Sequence, residues 1–178
     1  MRTLLGGLAL TLVLAAPAAA QGSSSPLADA LRANLKTSER NFVAAVDLMP
    51  ADKFGFKPTP AQNSFGHLVV HAIMANNFMC GLVSGKQAPK GAAVSDTTPK
   101  AELVQRLKDS YSFCDSALGS LTDSDLTTEL PYFGGRKISR AGAEVGLAND
   151  WTDHYTQAAM YLRLSGILPP TARGRNAD

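Results

Sequence analysis

The stretch Ala143-Glu144-Val145-Gly146-Leu147-Ala148-Asn149-Asp150-Trp151-Thr152-Asp153-His154-Tyr155-Thr156-Gln157 decides the reading of this chain. Within it and just beyond, Ala143, Leu147, Asp150, His154, Gln157, Tyr161 and Leu164 recur at alternating spacings of four and three. That is one face of a helix, the stripe that normally meets a core. Asp150 and His154 lie in the middle of it, one turn apart on the same side. A carboxylate and an imidazole in such a seam cost several kcal/mol, by order of magnitude, unless they pair or bind something. A metal ion is the usual partner.

Working outward, the same helical spacing appears three more times. Ser25-Pro26 reads as an N-cap with proline in the first turn, and Leu27, Leu31, Leu35, Phe42, Ala45 and Met49 follow it until Pro50. A second helix spans Ser64 to Ser84, with Phe65, Leu68, Ala72, Met79 and Val83 inward, and ends at Gly85. Thr98-Pro99 opens the third, where Val104, Leu107, Tyr111, Cys114 and Leu118 keep an unbroken apolar spacing. The fourth runs from Ser139 to about Ser165, where Gly166 and Pro169-Pro170 forbid continuation. No run of alternating strand residues stands out between them.

The expected fold is therefore all-α, a four-helix bundle. The connection from Gly85 to Thr98 is long enough to matter: about 13 extended residues reach some 40 Å, more than the roughly 30 Å of a 20-residue helix. Helices two and three can then run parallel, joined by a long crossover. Cys80 and Cys114 would lie at similar height, either as a disulfide or as two buried thiols.

Ahead of the bundle, Met1-Arg2, the apolar run Leu4 to Ala16 and the small residues Ala18-Ala19-Ala20 have the order of a secretory signal peptide. The division expected is residues 1–20 as leader, 21–170 as bundle and 171–178 as a flexible polar tail. Cleavage after Ala20 would place the protein in a periplasm or outside the cell; an uncleaved anchor is the alternative. No later segment is expected to span a membrane. The formal charge of +2 is small, and no basic patch with interleaved aromatics appears, so nucleic acid is not an expected partner. A small-molecule substrate or ligand is.

The chain holds three histidines. His67 and His71 form an i, i+4 pair on the second helix, while His154 pairs with Asp150 on the fourth. Facing helices of a bundle converge their ligands on the interior. His71, Asp150 and His154 make a two-histidine, one-carboxylate set suited to Zn, Ni, Fe or Mn, with coordination positions left for water or substrate. His67 is either a further ligand or a plain surface or capping residue. Asp150 and His154 could also be a simple buried hydrogen-bonded pair. Asp153 reads as an outer or solvent residue, Gln157 as a group that could orient a bound water or ligand. Trp151 and Tyr155 read as packing residues flanking the helix. Gly134-Gly135-Arg136-Lys137 reads as a turn, or as a rim that receives an anion. No serine has a nucleophile-elbow context and no glycine-rich phosphate loop is present.

The segments Leu48-Met49-Pro50-Ala51-Asp52-Lys53-Phe54-Gly55-Phe56-Lys57-Pro58 and Ser64-Phe65-Gly66-His67-Leu68-Val69-Val70-His71, with Asp150-Trp151-Thr152-Asp153-His154 near the end, resemble DinB-like proteins over essentially the whole mature chain. The resemblance implies a four-helix bundle with a parallel middle pair and a divalent metal held by three histidines. By position, one of these matches His71 and another His154. The remaining one falls on Asp150, a departure that favours harder ions; His67 is the residue that could supply the missing imidazole. The family includes metal-dependent thiol transferases and thiol-dependent isomerases, as well as bundles that pair into homodimers. Three functions follow as expectations: an exported metalloenzyme that activates a thiol or water, a non-catalytic envelope bundle that binds metal or ligand, and a relic scaffold without metal.

Overall fold

Pro26 and the residues after it form the first helix, α1 (Pro26–Leu48), in a computed structural model that describes residues 24–91 and 93–173. The leader assigned to residues 1–20 lies outside the described residues. Ser25 occupies the N-cap position but its side chain does not cap. Asp123 takes that role from a distant loop, accepting from Leu27 N at 3.0 Å and Ala28 N at 2.9 Å. A carboxylate at a helix N-terminus satisfies free N–H groups and meets the positive end of the dipole.

Helices α2 (Phe65–Ser84), α3 (Lys100–Leu118) and α4 (Arg140–Leu164) complete the bundle. Ser64 caps α2 through His67 N, and Ser139 caps α4 through Gly142 N. Gly85 and Gly166 follow α2 and α4 with φ of +73° and +76°, a left-handed turn that glycine takes without a Cβ penalty. Between Asn76 and Ser110, and again between Cys80 and Cys114, the sequence separation across α2 and α3 is the same 34 residues. A constant offset means the two helices run parallel, in the arrangement the long crossover allows. α4 runs antiparallel to α2: His71 meets His154, Asn76 meets Trp151, and Gly146 meets Met79. α1 lies beside α3 and α4, on the diagonal from α2.

The two cysteines form a disulfide, with Cα atoms 5.2 Å apart. Phe42, Phe65, Met49, Leu107, Tyr111, Leu147 and Trp151 fill the core. Each such side chain contributes about 1.5–3 kcal/mol by leaving water. Leu27 and Leu164, expected inward, are instead exposed, because they sit at the first and last turns of their helices. Near the start of α2, two loops crowd the backbone. A Cβ on Gly66 would stand 3.0 Å from Asp96 O and 3.3 Å from Phe54 O.

Three details differ from the reading of the sequence. A small hairpin, β1 (Glu129–Pro131) with β2 (Lys137–Ser139), occupies the long loop before α4. Its three-residue strands are too short to show alternation, and Gly134 and Gly135, both at positive φ, make its turn. Second, the segment expected as a loose tail begins with a helical turn, α5 (Pro170–Arg173), held where Thr171 N donates to the Tyr155 hydroxyl at 3.2 Å; residues 174–178 lie outside the described residues. Third, α2 is long and apolar enough to cross a membrane by length and composition. Most of its apolar side chains are core residues of the bundle, while Met74 and Phe78 are exposed.

Candidate metal centre

His71 comes from α2, and Asp150 and His154 come from α4. The Ser64 cap starts α2 so that His67 and His71 fall one turn apart on its outer edge. Across the gap, His154 is 3 % exposed, Asp150 is half-buried and His71 is exposed. One ligand atom from each of the three residues lies within 4.8 Å of the others. The His71 and His154 ring centroids are 5.1 Å apart, and Phe42 backs His154 at 6.2 Å. The centre is thus closed by apolar packing on one side and open to solvent on the side of His71.

Asp150 carries the informative atom. Its Oδ2 lies 3.2 Å from His154 Nδ1, yet this buried oxygen accepts no hydrogen bond. The two residues stand within ion-pair distance without forming a hydrogen bond. A buried carboxylate oxygen without a donor is costly, and a cation is what would offset the cost. Two imidazoles and that carboxylate fit a divalent ion of the Zn, Ni, Fe or Mn group. His67 stands outside this set of three, although it lines the same cavity.

That cavity has a volume of about 190 Å³ and is bounded by His67, His71, Asp153, His154, Gln157 and Tyr161, among others. Gln157 Nε2 donates to Asp153 Oδ2 at 2.7 Å, and Tyr161 closes one wall by donating to Asn63 O at 2.6 Å. Burial holds the Tyr161 hydroxyl above its usual pKa, so it stays a donor at neutral pH. No lysine or arginine lines this cavity among the described residues. Gly134-Gly135-Arg136-Lys137 belongs to the hairpin, its turn and the start of β2, and does not line the cavity.

Asn76 escaped the sequence reading. It fills the gap between Ala72 and Met79 on the inward stripe of α2, where a polar residue among apolar ones was the available signal. Its Oδ1 accepts from Trp151 Nε1 at 2.7 Å, and Trp151 itself is a core residue, 1 % exposed.

Comparison with known proteins agrees with this fold. A sequence model described as the DinB superfamily matches residues 34–158. A DinB-like protein from Bacillus cereus is similar in structure, with a TM-score of 0.67 at 18 % identity, over 80 % of this chain and 95 % of that one. A DinB-like protein from Bacillus subtilis gives a TM-score of 0.63 at 18 % identity, over 77 % and 92 %. A mycothiol-dependent maleylpyruvate isomerase, as a histidine-to-alanine mutant, gives 0.59 at 13 % identity, over 72 % and 59 %. No curated protein sequence matches the chain.

Proposed function

The chain belongs to the DinB superfamily, and from that premise we propose that it is an exported protein that binds a divalent metal through His71, Asp150 and His154 and acts as a metal-dependent enzyme. The observation that carries the reading is the buried Asp150 Oδ2, which accepts no hydrogen bond, beside two imidazoles. A divalent cation held there would supply Lewis acidity, lowering the pKa of a thiol or water bound to it. The reaction class is thiol transfer or hydrolysis of a small molecule. The mycothiol-dependent isomerase among the structural neighbours is what suggests a thiol.

The chain's own residues supply binding and orientation. Phe42 and the core behind it exclude water from His154. Gln157 steadies Asp153, a carboxylate outside the three-ligand set that offers a proton acceptor at the cavity wall. His67, exposed on the same cavity, is placed to contact a substrate better than to close the coordination sphere. A closed, purely structural site would need a fourth ligand within the group, so the open side favours an enzyme over a non-catalytic binding bundle. The leader before Gln21 supports export to a periplasm or beyond.

Metal analysis of the mature protein, purified without chelator, tests the reading. The expected result is about one divalent ion per chain, lost in His154→Ala with the fold retained. Equal metal content in both proteins would remove these residues from consideration.

A further inference from the structure

Asn76 is a carboxamide on an apolar stripe, 1 % exposed, and both ends of it are occupied. Its Nδ2 donates to Ser110 Oγ of α3 at 3.0 Å, and its Oδ1 accepts from Trp151 Nε1 of α4 at 2.7 Å. Ser110 is fixed in turn by donating to Leu107 O at 2.7 Å. Behind this junction, Cys114 Sγ lies 3.6 Å from Asn76 O, and Cys114 is bonded to Cys80, one turn further along α2. The disulfide therefore clamps α2 to α3 at the level where Asn76 reaches across to α4.

The place of the indole in α4 gives this junction a role. Trp151 directly follows Asp150 and precedes His154 by three positions, so the pinned ring stands on the turn that carries both ligands. Apolar packing is non-directional and tolerates small rotations of a helix about its axis. A hydrogen bond to an indole N–H has a preferred line and does not. A turn of about 20° moves a side-chain tip some 2 Å, beyond the roughly 0.5 Å within which a preorganised site must be held.

We propose that Asn76 and Trp151 are positioning residues of the metal centre: their bond sets the rotation of α4 against α2 and so the spacing of His71, Asp150 and His154. The inference rests on the metal-binding reading given above. Asn76 and Trp151 touch no ligand directly in this role; they act through the helix that bears two of the three.

Cobalt(II) titration of the full mature chain tests it, read by affinity and by the visible ligand-field bands. Trp151→Phe and Asn76→Ala are compared with Leu35→Ala, a core truncation on α1, which carries neither a ligand nor a member of the Asn76–Trp151–Ser110 junction, with the stability of all three measured by urea unfolding. The first two are expected to weaken cobalt binding about tenfold or more and to shift the bands at saturation. Leu35→Ala is expected to keep wild-type affinity and bands despite its lost stability. Ser110→Ala, which frees one limb of Asn76 and leaves the indole bond in place, serves where a larger change prevents folding; an intermediate loss of affinity is expected. Wild-type affinity and bands in a folded Trp151→Phe or Asn76→Ala, or an equal loss in Leu35→Ala, would overturn the proposal. A wild-type chain that binds no cobalt would instead overturn the metal reading, and this inference with it.

A second measurement needs no metal. The chain holds a single tryptophan, so its indole N–H resonance is unambiguous. Slow exchange with solvent is expected in the metal-free protein, and lost protection in Asn76→Ala. Fast exchange in the wild type would overturn the proposal by itself.

Discussion

His71 and His154 stand with ring centroids 5.1 Å apart although one belongs to α2 and the other to α4. Their exposures differ sharply: His154 is buried at 3 % while His71 faces solvent. One imidazole is thus part of the core and the other part of the cavity mouth. The Asp150 carboxylate beside them, with an oxygen that accepts no hydrogen bond, gives the pair its chemical sense.

Asp150 is where the chain departs from a three-histidine set, and its substitution should change which ion is held. Asp150→Asn, which removes the charge and keeps the shape, is expected to weaken binding of manganese by about tenfold or more. Asp150→His should keep zinc binding and lower the preference for manganese relative to zinc, because imidazole suits softer ions. Competition titrations with both metals measure this; unchanged affinities in Asp150→Asn would show that the carboxylate is no ligand.

Glu144 is a second buried acid, 1 % exposed, and neither carboxylate oxygen accepts a hydrogen bond. Burial pushes its pKa up; Arg140 opposes this, Asp123 adds to it and Arg32 opposes it. A group that keeps its proton to higher pH when folded stabilises fully below its unfolded pKa, about 4.3 for glutamate. That contribution is lost as pH rises through the folded value. Glu144→Gln removes the titration, so at neutral pH the variant should be more stable than wild type. Near pH 4 the difference should shrink. Urea unfolding at both pH values checks the sign, and a variant less stable at neutral pH contradicts it.

The Cys80–Cys114 bridge closes a loop with a sequence separation of 34. Chain-entropy reasoning gives about 4 kcal/mol of stabilisation for a loop of that length. Replacing both cysteines by serine should lower the unfolding free energy by that order, measured under oxidising conditions. A loss below about 1 kcal/mol would mean that the crossover is already restrained by other contacts.

The leader makes a plain prediction. Expressed with residues 1–20 in an exporting bacterial host, the protein recovered from the periplasm or medium should begin at Gln21 by intact-mass measurement. Recovery of the chain starting at Met1, held in the membrane fraction, would point to an anchor.

The bundle was readable because its helices obey a strong local code. Proline at the starts of α1 and α3, serine before α2 and α4, glycine at the ends of α2 and α4, and apolar residues at spacings of three and four mark all four to within a residue or two. His71, Asp150 and His154 were readable for a related reason: polar groups on or beside a buried stripe, on helices that must face each other. The hairpin was not, since three-residue strands carry no period. Asp123 as the cap of α1 was equally hidden, because a cap supplied from a loop 95 residues away depends on tertiary structure. Asn76 did leave a trace, a polar residue at a core position. Its partner Trp151 was unremarkable in sequence because an indole satisfies both packing and hydrogen bonding, and only coordinates show which neighbour it meets.

Anomalous diffraction from crystals of the mature protein, recorded above and below the absorption edge of the bound metal, tests the central claim most directly. One strong peak per chain, enclosed by the side chains of His71, Asp150 and His154, is the predicted result. A metal located elsewhere on the chain, or no peak between these three residues in crystals soaked with zinc or manganese, would contradict it.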